Sequence, residues 1–257
     1  MQTNKPLFPV RKGTIVQGFG ANAEFYAKRF PSLGDGGHQG VDIISFHGDD
    51  ILLTKDLNIY KVADWITLGI EGVAHGYGFN GITPPDENGI CEEYICWHMM
   101  SNLKVKAGQF YKQGEVAGRE GQSGDVYSNG VRVPDNKKGK PPYPGTHLHF
   151  GKRIVQKTNN PRPGDVFLTN RDKTPYVDKD GYMYRVMNYD NGHQGFVDPF
   201  ENGYMTFDEY VAGKLIDVAN ETVKIIPTIQ DPVVRENTSN WLMDLITQLI
   251  TYLKGRT

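Results

Sequence analysis

Short apolar segments separated by glycine turns run through the first two thirds of the chain. They are rich in β-branched and aromatic residues, which favour strands. Glycine contributes 30 of the 257 residues and ends many of these segments. The segments are Thr14–Phe19, Val41–Ser45, Ile51–Val62, Tyr94–Met100, Glu115–Gly118 and Thr146–Ile154. This pattern predicts a mainly β protein built around an antiparallel sheet or sandwich.

The charge balance excludes several classes of partner. Lys and Arg total 28 against 30 Asp and Glu, a formal net charge of −2. Such a chain lacks the basic excess by which proteins bind duplex nucleic acid or anionic membranes. The sequence also has no apolar run near the roughly 18 residues of a membrane-spanning helix, and no apolar core between Lys5 and Arg11 typical of a signal peptide. We therefore predict no nucleic-acid partner, no transmembrane segment and no signal peptide.

Two polar stretches interrupt the strand pattern. Residues 125–144 are rich in Lys, Gly and Pro, and residues 156–195 contain several turn signals around aromatic residues. Both are typical of loop insertions at the rim of a sheet, and the second is expected to add a hairpin. We predict one main domain over residues 1–205 with these two insertions.

Residues 206–257 are expected to form a helical C-terminal appendage. Thr206 and Glu209 match a capping box, and Trp241–Leu253 places its large apolar residues on one stripe of a second helix. Residues 226–238, which contain two prolines, are predicted to be a linker. The apolar stripe either docks on a partner or on a second copy of the chain, or packs back on the main domain.

The two cysteines point to buried free thiols. Cys91 and Cys96 lie five positions apart in a predicted strand, so their side chains emerge on opposite faces of the sheet. A disulfide between them is therefore not expected.

Histidine and aspartate residues recur at spacings that suit a metal site. His38 and Asp42 lie four residues apart with Gly40 between them, and His147 and His149 lie two apart in a predicted strand. In an extended chain both pairs present their side chains on one face. Two nitrogen ligands and one oxygen ligand, with a fourth position open, are typical of catalytic zinc, although each fragment alone arises readily by chance.

The order of the motifs along the chain is more specific than any single motif. The sequence resembles the lysostaphin and LytM-like zinc endopeptidases, family M23, which cleave peptide bonds in bacterial peptidoglycan. The resemblance covers Phe8–Arg153 with insertions, and Val197–Pro199 is similar to the closing strand signal of the family. It rests on Thr14–Gly20, His38–Asp42, Trp97–Met99, Val105–Gln109, Gly114–Gly118, Gly121–Gly124 and Gly145–Phe150.

The resemblance implies a role for each of five residues. His38, Asp42 and His149 correspond to the zinc ligands of the family, and His98 and His147 correspond to its catalytic histidines. The sequence does not determine which of these two histidines has which role. We favour His147 as the base that orients water and His98 as the donor to the oxyanion.

Some features depart from the family or lie outside its motifs. Trp97 stands where the family usually has a small residue, and the long segment 125–144 either walls the groove or forms a solvated rim. The remaining histidines, at positions 47, 75 and 193, are expected in turns without a metal role.

These features predict a zinc-dependent endopeptidase that cleaves the peptide crosslinks of bacterial peptidoglycan at the cell wall. Since no signal peptide is expected, a phage tail or another virion is a candidate carrier, with Trp241–Leu253 as the contact to virion or tail proteins. One alternative is a catalytically inactive M23-like binding or structural module, but such modules generally lose zinc ligands. Another is a peptidase that acts on a protein outside the wall. Which bond is cut stays open.

Overall fold

The computed structural model describes residues 5–30, 36–64 and 75–254. The chain divides into two compact units: a larger one, Pro6–Tyr204, and a smaller one that contains the helices after Met205. No helix among the described residues is long and apolar enough to cross a membrane.

The larger unit contains all the described strands and one short helix. The strands are β1 (Thr14–Gln17), β2 (Val41–Ile44), β3 (Asp50–Leu52), β4 (Leu57–Ala63), β5 (Tyr77–Ile82), β6 (Ile90–Met99), β7 (Phe110–Tyr111), β8 (Val116–Arg119), β9 (Tyr127–Ser128), β10 (Val131–Arg132), β11 (Leu148–Thr158), β12 (Met183–Val186) and β13 (Phe196–Val197). Helix α1 (Ala23–Arg29) follows β1, and a 3₁₀ turn covers Asp135–Lys137.

The main sheet is antiparallel and has nine strands among the described residues. Its path runs β1-β2-β11-β6-β5-β4-β7, and β12 and β13 also pair with β11. Strands β3 and β8 form a separate two-stranded sheet, as do β9 and β10. The predicted mainly β, antiparallel fold is therefore confirmed.

Hydrophobic clusters lie on both faces of the main sheet, and the larger one forms the main core. Alternate residues of β11 and β6, including Leu148, Phe150 and Cys96, belong to a fully buried cluster. The intervening residues of the same strands, including Cys91 and Val155, point to the other face and belong to a second cluster there. Both cysteines are free and buried, as predicted. His149 and Val155 are an even number of residues apart in β11, so their side chains point to the same face. His149 therefore lies on the face opposite the main core.

The predicted insertion at 156–195 begins inside β11, since that strand continues to Thr158. The segment returns as β12, which pairs with the last four residues of β11. The predicted insertion at 125–144 carries the short hairpin of β9 and β10.

The smaller unit contains helices α2 (Phe207–Ile225) and α3 (Pro232–Lys254), joined by a 3₁₀ turn. The predicted capping box is present: Thr206 accepts a hydrogen bond from the amide of Glu209, whose carboxylate accepts one from the amide of Thr206.

The linker predicted over 226–238 is shorter in the structure, because α3 begins at Pro232. Asp231 accepts hydrogen bonds from the amides of Val233 at 2.8 Å and Val234 at 3.2 Å, and thus caps the helix. Proline is tolerated in the first turn, where its missing N–H has no helical partner. Pro232 is therefore part of a helix start, whereas Pro227 lies in the 3₁₀ turn between the two helices.

A buried carboxyl group lies beside the end of β2. The Glu120 residue is fully buried, and its side chain accepts hydrogen bonds from the amide and the hydroxyl of Ser45. Burial raises the pKa of Glu120 from 4.5 to about 7, although the hydrogen bonds from Ser45 oppose this shift.

This raised pKa predicts a pH-dependent loss of stability. The folded chain holds the Glu120 proton more tightly than the unfolded chain. The stabilisation that this proton provides is therefore fully present below pH 4.5 and is lost as the pH rises through about 7. The Glu120→Gln variant cannot titrate there. We therefore expect the free energy of unfolding of the variant, relative to that of the wild type, to be about 2–3 kcal/mol higher at about pH 8 than at about pH 4. Urea unfolding of both chains measures this; a difference that stays constant with pH would contradict it.

Candidate active site

Strand register brings the candidate ligands together. In the pairing of β11 with β2, His149 lies directly opposite Asp42, and in the pairing of β11 with β6 it lies opposite Trp97. Directly paired residues in an antiparallel sheet share a face. The side chains of all three therefore lie on the face away from the main core, and the Trp97 ring stacks on the His149 ring with 4.9 Å between centroids.

His38 reaches this position from the segment just before β2. Its amide donates to the carbonyl of Ala21 at 3.0 Å, and its Nδ1 lies 3.4 Å from the carbonyl oxygen of Gly18. Gly40 provides space for a neighbouring ligand: a Cβ there would lie 2.6 Å from the carbonyl of Phe150 and 3.1 Å from the His149 ring. The glycine between His38 and Asp42 thus accommodates the third ligand residue.

Three ligand atoms converge at one point. His38 Nε2 lies 2.9 Å from His149 Nδ1 and 3.1 Å from Asp42 Oδ1, and His149 Nδ1 lies 3.2 Å from Asp42 Oδ1. Tetrahedral zinc with bonds of about 2.0–2.2 Å places its ligand atoms roughly 3.3–3.6 Å apart. The triangle needs to widen by only a few tenths of an ångström, so the donor set fits a zinc ion.

The protonation states of His149 and Asp42 also suit a metal. Burial lowers the pKa of His149 to about 4. Burial alone would raise the pKa of Asp42, but the neighbouring His147 and hydrogen bonds from His149 and His38 hold it well below its usual range. Metal ligation requires a neutral imidazole and an ionised carboxylate, which are the forms that these shifts favour at His149 and Asp42.

Two further histidines border the three ligand atoms. His147 Nε2 lies 3.8 Å from Asp42 Oδ1, and the His98 ring is 4.7 Å from the His147 ring. His98 Nδ1 lies 2.8 Å from the carbonyl of Ser123, and His147 Nδ1 lies 2.9 Å from the carbonyl of Gly145. A carbonyl oxygen only accepts, so each Nδ1 carries the hydrogen. In the neutral rings, both Nε2 atoms are then free to accept a proton.

A bulge in β6 turns His98 toward this face. Between the pairs Tyr77–Met99 and Phe79–Cys96, β6 advances three residues while β5 advances two. His98 has φ +64°, in the left-handed region. Regular alternation would place it on the face opposite Trp97; the bulge removes that alternation, and such features often occur beside active sites.

The site lies in a groove of about 1130 Å³ whose lining includes seven Phe, Tyr and Trp residues. Tyr127 contacts Phe25 edge-on at 5.6 Å, and Tyr143 stacks on His47 at 4.2 Å. Segment 125–144 therefore forms part of the wall. The aromatic residues that line the groove are Phe25, Tyr26, Phe30, Phe46, Trp97, Tyr127 and Tyr143.

The structure brings His38, Asp42, His98, His147 and His149 into one groove. The other three histidines lie outside the His38, Asp42 and His149 cluster. His47 and His75 line the groove, and His193 packs on Phe19 with 4.4 Å between ring centroids. The contact of the Ser123 carbonyl, which fixes the tautomer of His98, was not predicted, because backbone partners leave no pattern in the side chains.

The fold was also compared with known proteins. No family model and no curated protein matches the chain. Solved structures do match. The catalytic domain of lysostaphin from Staphylococcus simulans is 21% identical, with a TM-score of 0.35, over 56% of this chain and 80% of that domain. The chain resembles M23 peptidases. This predicted resemblance is confirmed for the fold alone.

In two other matches, the aligned region is a smaller share of the matched protein. A zinc-containing peptidase from Vibrio cholerae is 20% identical, with a TM-score of 0.38, over 59% of this chain and 37% of that protein. A variant of the catalytic domain of the prophage-encoded M23 protein EnpA from Enterococcus faecalis is 21% identical, with a TM-score of 0.29, over 45% of this chain and 67% of that domain. The roles of individual residues therefore rest on the geometry of this chain itself.

Proposed function

We propose that the chain is a zinc-dependent endopeptidase that hydrolyses peptide crosslinks of bacterial peptidoglycan. The observation that carries the proposal is the convergence of His38 Nε2, Asp42 Oδ1 and His149 Nδ1 within about 3 Å of one another. The order of the sequence motifs supports the choice of peptidoglycan as substrate.

The three converging residues would hold the zinc. When bound, zinc supplies Lewis acidity, which lowers the pKa of water and polarises a carbonyl group. Two neutral imidazoles and one carboxylate leave a net positive charge on such a centre, which favours the negative charge that develops during hydrolysis.

His147 is proposed as the general base. Its Nδ1 donates to the carbonyl of Gly145, so Nε2 presents a lone pair toward the groove. It can take a proton from water there and deliver it to the departing amine, a task that suits an imidazole.

His98 is proposed as the donor to the oxyanion. Because its Nδ1–H is engaged with Ser123, it can donate from Nε2 only as an imidazolium. Burial and the neighbouring His147 and His149 lower the pKa of His98 well below its usual value, so the free site favours the neutral ring. Negative charge on the reacting oxygen opposes this effect and favours the protonated ring during turnover.

Digestion of defined peptidoglycans tests the proposal. Walls of known crosslink type are incubated with the zinc-loaded chain, with and without a chelator, and the released ends are identified by mass spectrometry. We expect new amino termini within the crosslinks, lost on chelation and restored by zinc. Failure to release muropeptides from any wall type would contradict the proposal and favour the inactive M23-like module.

Delivery by a phage tail or another virion stays a prediction. In the smaller unit α3 packs against α2, with Leu242 buried and Trp241 half exposed. If the helix docks on virion or tail proteins, truncation before Trp241 should abolish incorporation into particles while peptidase activity persists. Unchanged incorporation would contradict the docking role.

A further inference from the structure

The Trp97 side chain lies between two histidine rings. It stacks on the His149 ring, with 4.9 Å between centroids and 12° between planes, and on the His75 ring, with 4.0 Å and 27°. Trp97 belongs to β6, which pairs with β11 on one side and with β5 on the other. His149 lies on β11, and His75 lies just before β5. The three rings therefore form a row across three neighbouring strands.

The His149 ring lacks the hydrogen bond that usually orients a histidine ligand. Such a ligand commonly donates its other N–H to a carboxylate, a carbonyl or water, and this bond fixes the rotation of the ring. In His149 the candidate ligand atom is Nδ1, whereas Nε2 is buried and has no hydrogen-bond partner among the described residues. Rotation about the Cβ–Cγ bond of histidine has only broad preferences of its own. The packing around the ring therefore determines whether Nδ1 points toward His38 and Asp42.

The indole of Trp97 is placed to supply this orientation. The rings of His38 and His98 also contact His149, but their planes are 70° and 81° from it, so they meet it edge-on. Trp97 is the one ring contact of His149, among the described residues, with a nearly parallel plane. Rotation of His149 about Cβ–Cγ would drive the edge of its ring into the indole face. The indole thus favours the orientation in which Nδ1 joins the other two ligand atoms.

His75 supports the indole from the side of β5. Its carbonyl oxygen accepts a hydrogen bond from the amide of His98 at 3.1 Å, so its backbone is attached to the bulge in β6. Because Trp97 has a ring neighbour toward β5 as well as toward β11, its own rotation is restricted. A restricted indole is a firmer surface for His149 than a mobile one.

We propose that Trp97 is a positioning residue that holds the His149 ring in its metal-binding orientation, with His75 as its support. The inference rests on the proposed function, because it concerns the zinc site on which that function depends. It makes a claim about metal affinity, which is measured without any substrate.

The zinc affinities of three substituted chains test this role. Trp97→Phe keeps a flat ring, Trp97→Leu keeps apolar bulk without one, and Trp97→Ala removes both. Competition with a chromophoric chelator gives the dissociation constant of zinc for each chain, under conditions where circular dichroism shows that the chain is folded. We expect Trp97→Phe to bind zinc within about threefold of the wild type, and Trp97→Leu and Trp97→Ala to bind it at least about tenfold more weakly.

The comparison of Trp97→Phe with Trp97→Leu decides the outcome even if Trp97→Ala does not fold. Wild-type affinity in Trp97→Leu, or an equal loss in Trp97→Phe and Trp97→Leu, would overturn the inference. Phe110→Leu is the matched control, because Phe110 belongs to β7 of the same sheet and does not line the groove. It should keep the wild-type affinity. A loss there as large as in Trp97→Leu would contradict a specific role of Trp97.

Substitution of Co²⁺ for zinc distinguishes positioning from a general loss of structure. The visible absorption bands of Co²⁺ depend on the geometry of its ligands. We expect the saturated Trp97→Phe chain to have the wild-type bands and the saturated Trp97→Leu chain to have shifted or weaker ones. Unchanged bands in Trp97→Leu would show that His149 keeps its orientation without the indole, which contradicts the inference.

Cleavage assays separate this inference from the proposed function. If Trp97→Leu loses zinc affinity but the zinc-loaded wild type releases no muropeptides, the peptidase proposal fails while the positioning role stands. If the wild type cleaves peptidoglycan and all the Trp97 variants bind zinc equally well, the peptidase proposal stands and the positioning role fails.

Discussion

His149→Ala is expected to abolish stoichiometric zinc binding and to lower peptidase activity by at least about 10³-fold. The substitution removes the nitrogen that lies 2.9 Å from His38 Nε2 and 3.2 Å from Asp42 Oδ1. The two ligands left behind do not provide the three protein ligands of a catalytic zinc site. Metal analysis after dialysis and release of muropeptides measure the two effects.

The matched control is His193→Ala, since that histidine lies outside the candidate cluster. It should retain zinc and activity. Circular dichroism of both variants in chelator checks that each one folds. A His149→Ala chain that is folded and still binds one zinc ion with wild-type affinity would contradict its role as a ligand.

His147→Ala is expected to keep zinc and lose about 10²–10⁴-fold in kcat. His147 Nε2 lies 3.8 Å from Asp42 Oδ1, farther than either of the nitrogens in the cluster. Removal of the ring therefore leaves the three ligands in place but removes the proposed proton acceptor. Zinc content and kcat, measured on the same preparation, test the separation of binding from chemistry.

The outcome would be different if His147 were a ligand or had no role. Loss of zinc together with activity would indicate that it binds the metal, and unchanged turnover would show that it is not the base. His98→Ala provides a comparison: its loss of activity should also occur without loss of zinc, because its ring is 6.3 Å from that of His149.

Residue spacing accounts for only one regular part of the site. The separation of two between His147 and His149 follows the alternation of an extended chain at the start of β11. His38 lies before β2 and is joined to Asp42 through bends at residues 39 and 40, so its position does not follow from alternation. Strand pairing then places Asp42 opposite His149. Spacing within a strand does not determine which strands pair, so it was the order of the motifs that connected these fragments.

The irregular parts of the site could not be predicted in this way. His98 faces the groove because of a bulge and a positive φ angle, and no glycine marks that position. The contacts of Tyr127 with Phe25 and of Tyr143 with His47 join segments about 100 residues apart, beyond any local pattern. Such contacts depend on tertiary packing, which overrides local propensity.

Diffraction from crystals of the zinc-loaded chain, collected on both sides of the zinc absorption edge, tests the central claim most directly. We expect one anomalous peak bonded to His38 Nε2, Asp42 Oδ1 and His149 Nδ1, with an open position toward His98 and His147. A peak bonded to other residues, or a zinc ion whose fourth position is occupied by another protein side chain, would contradict the account.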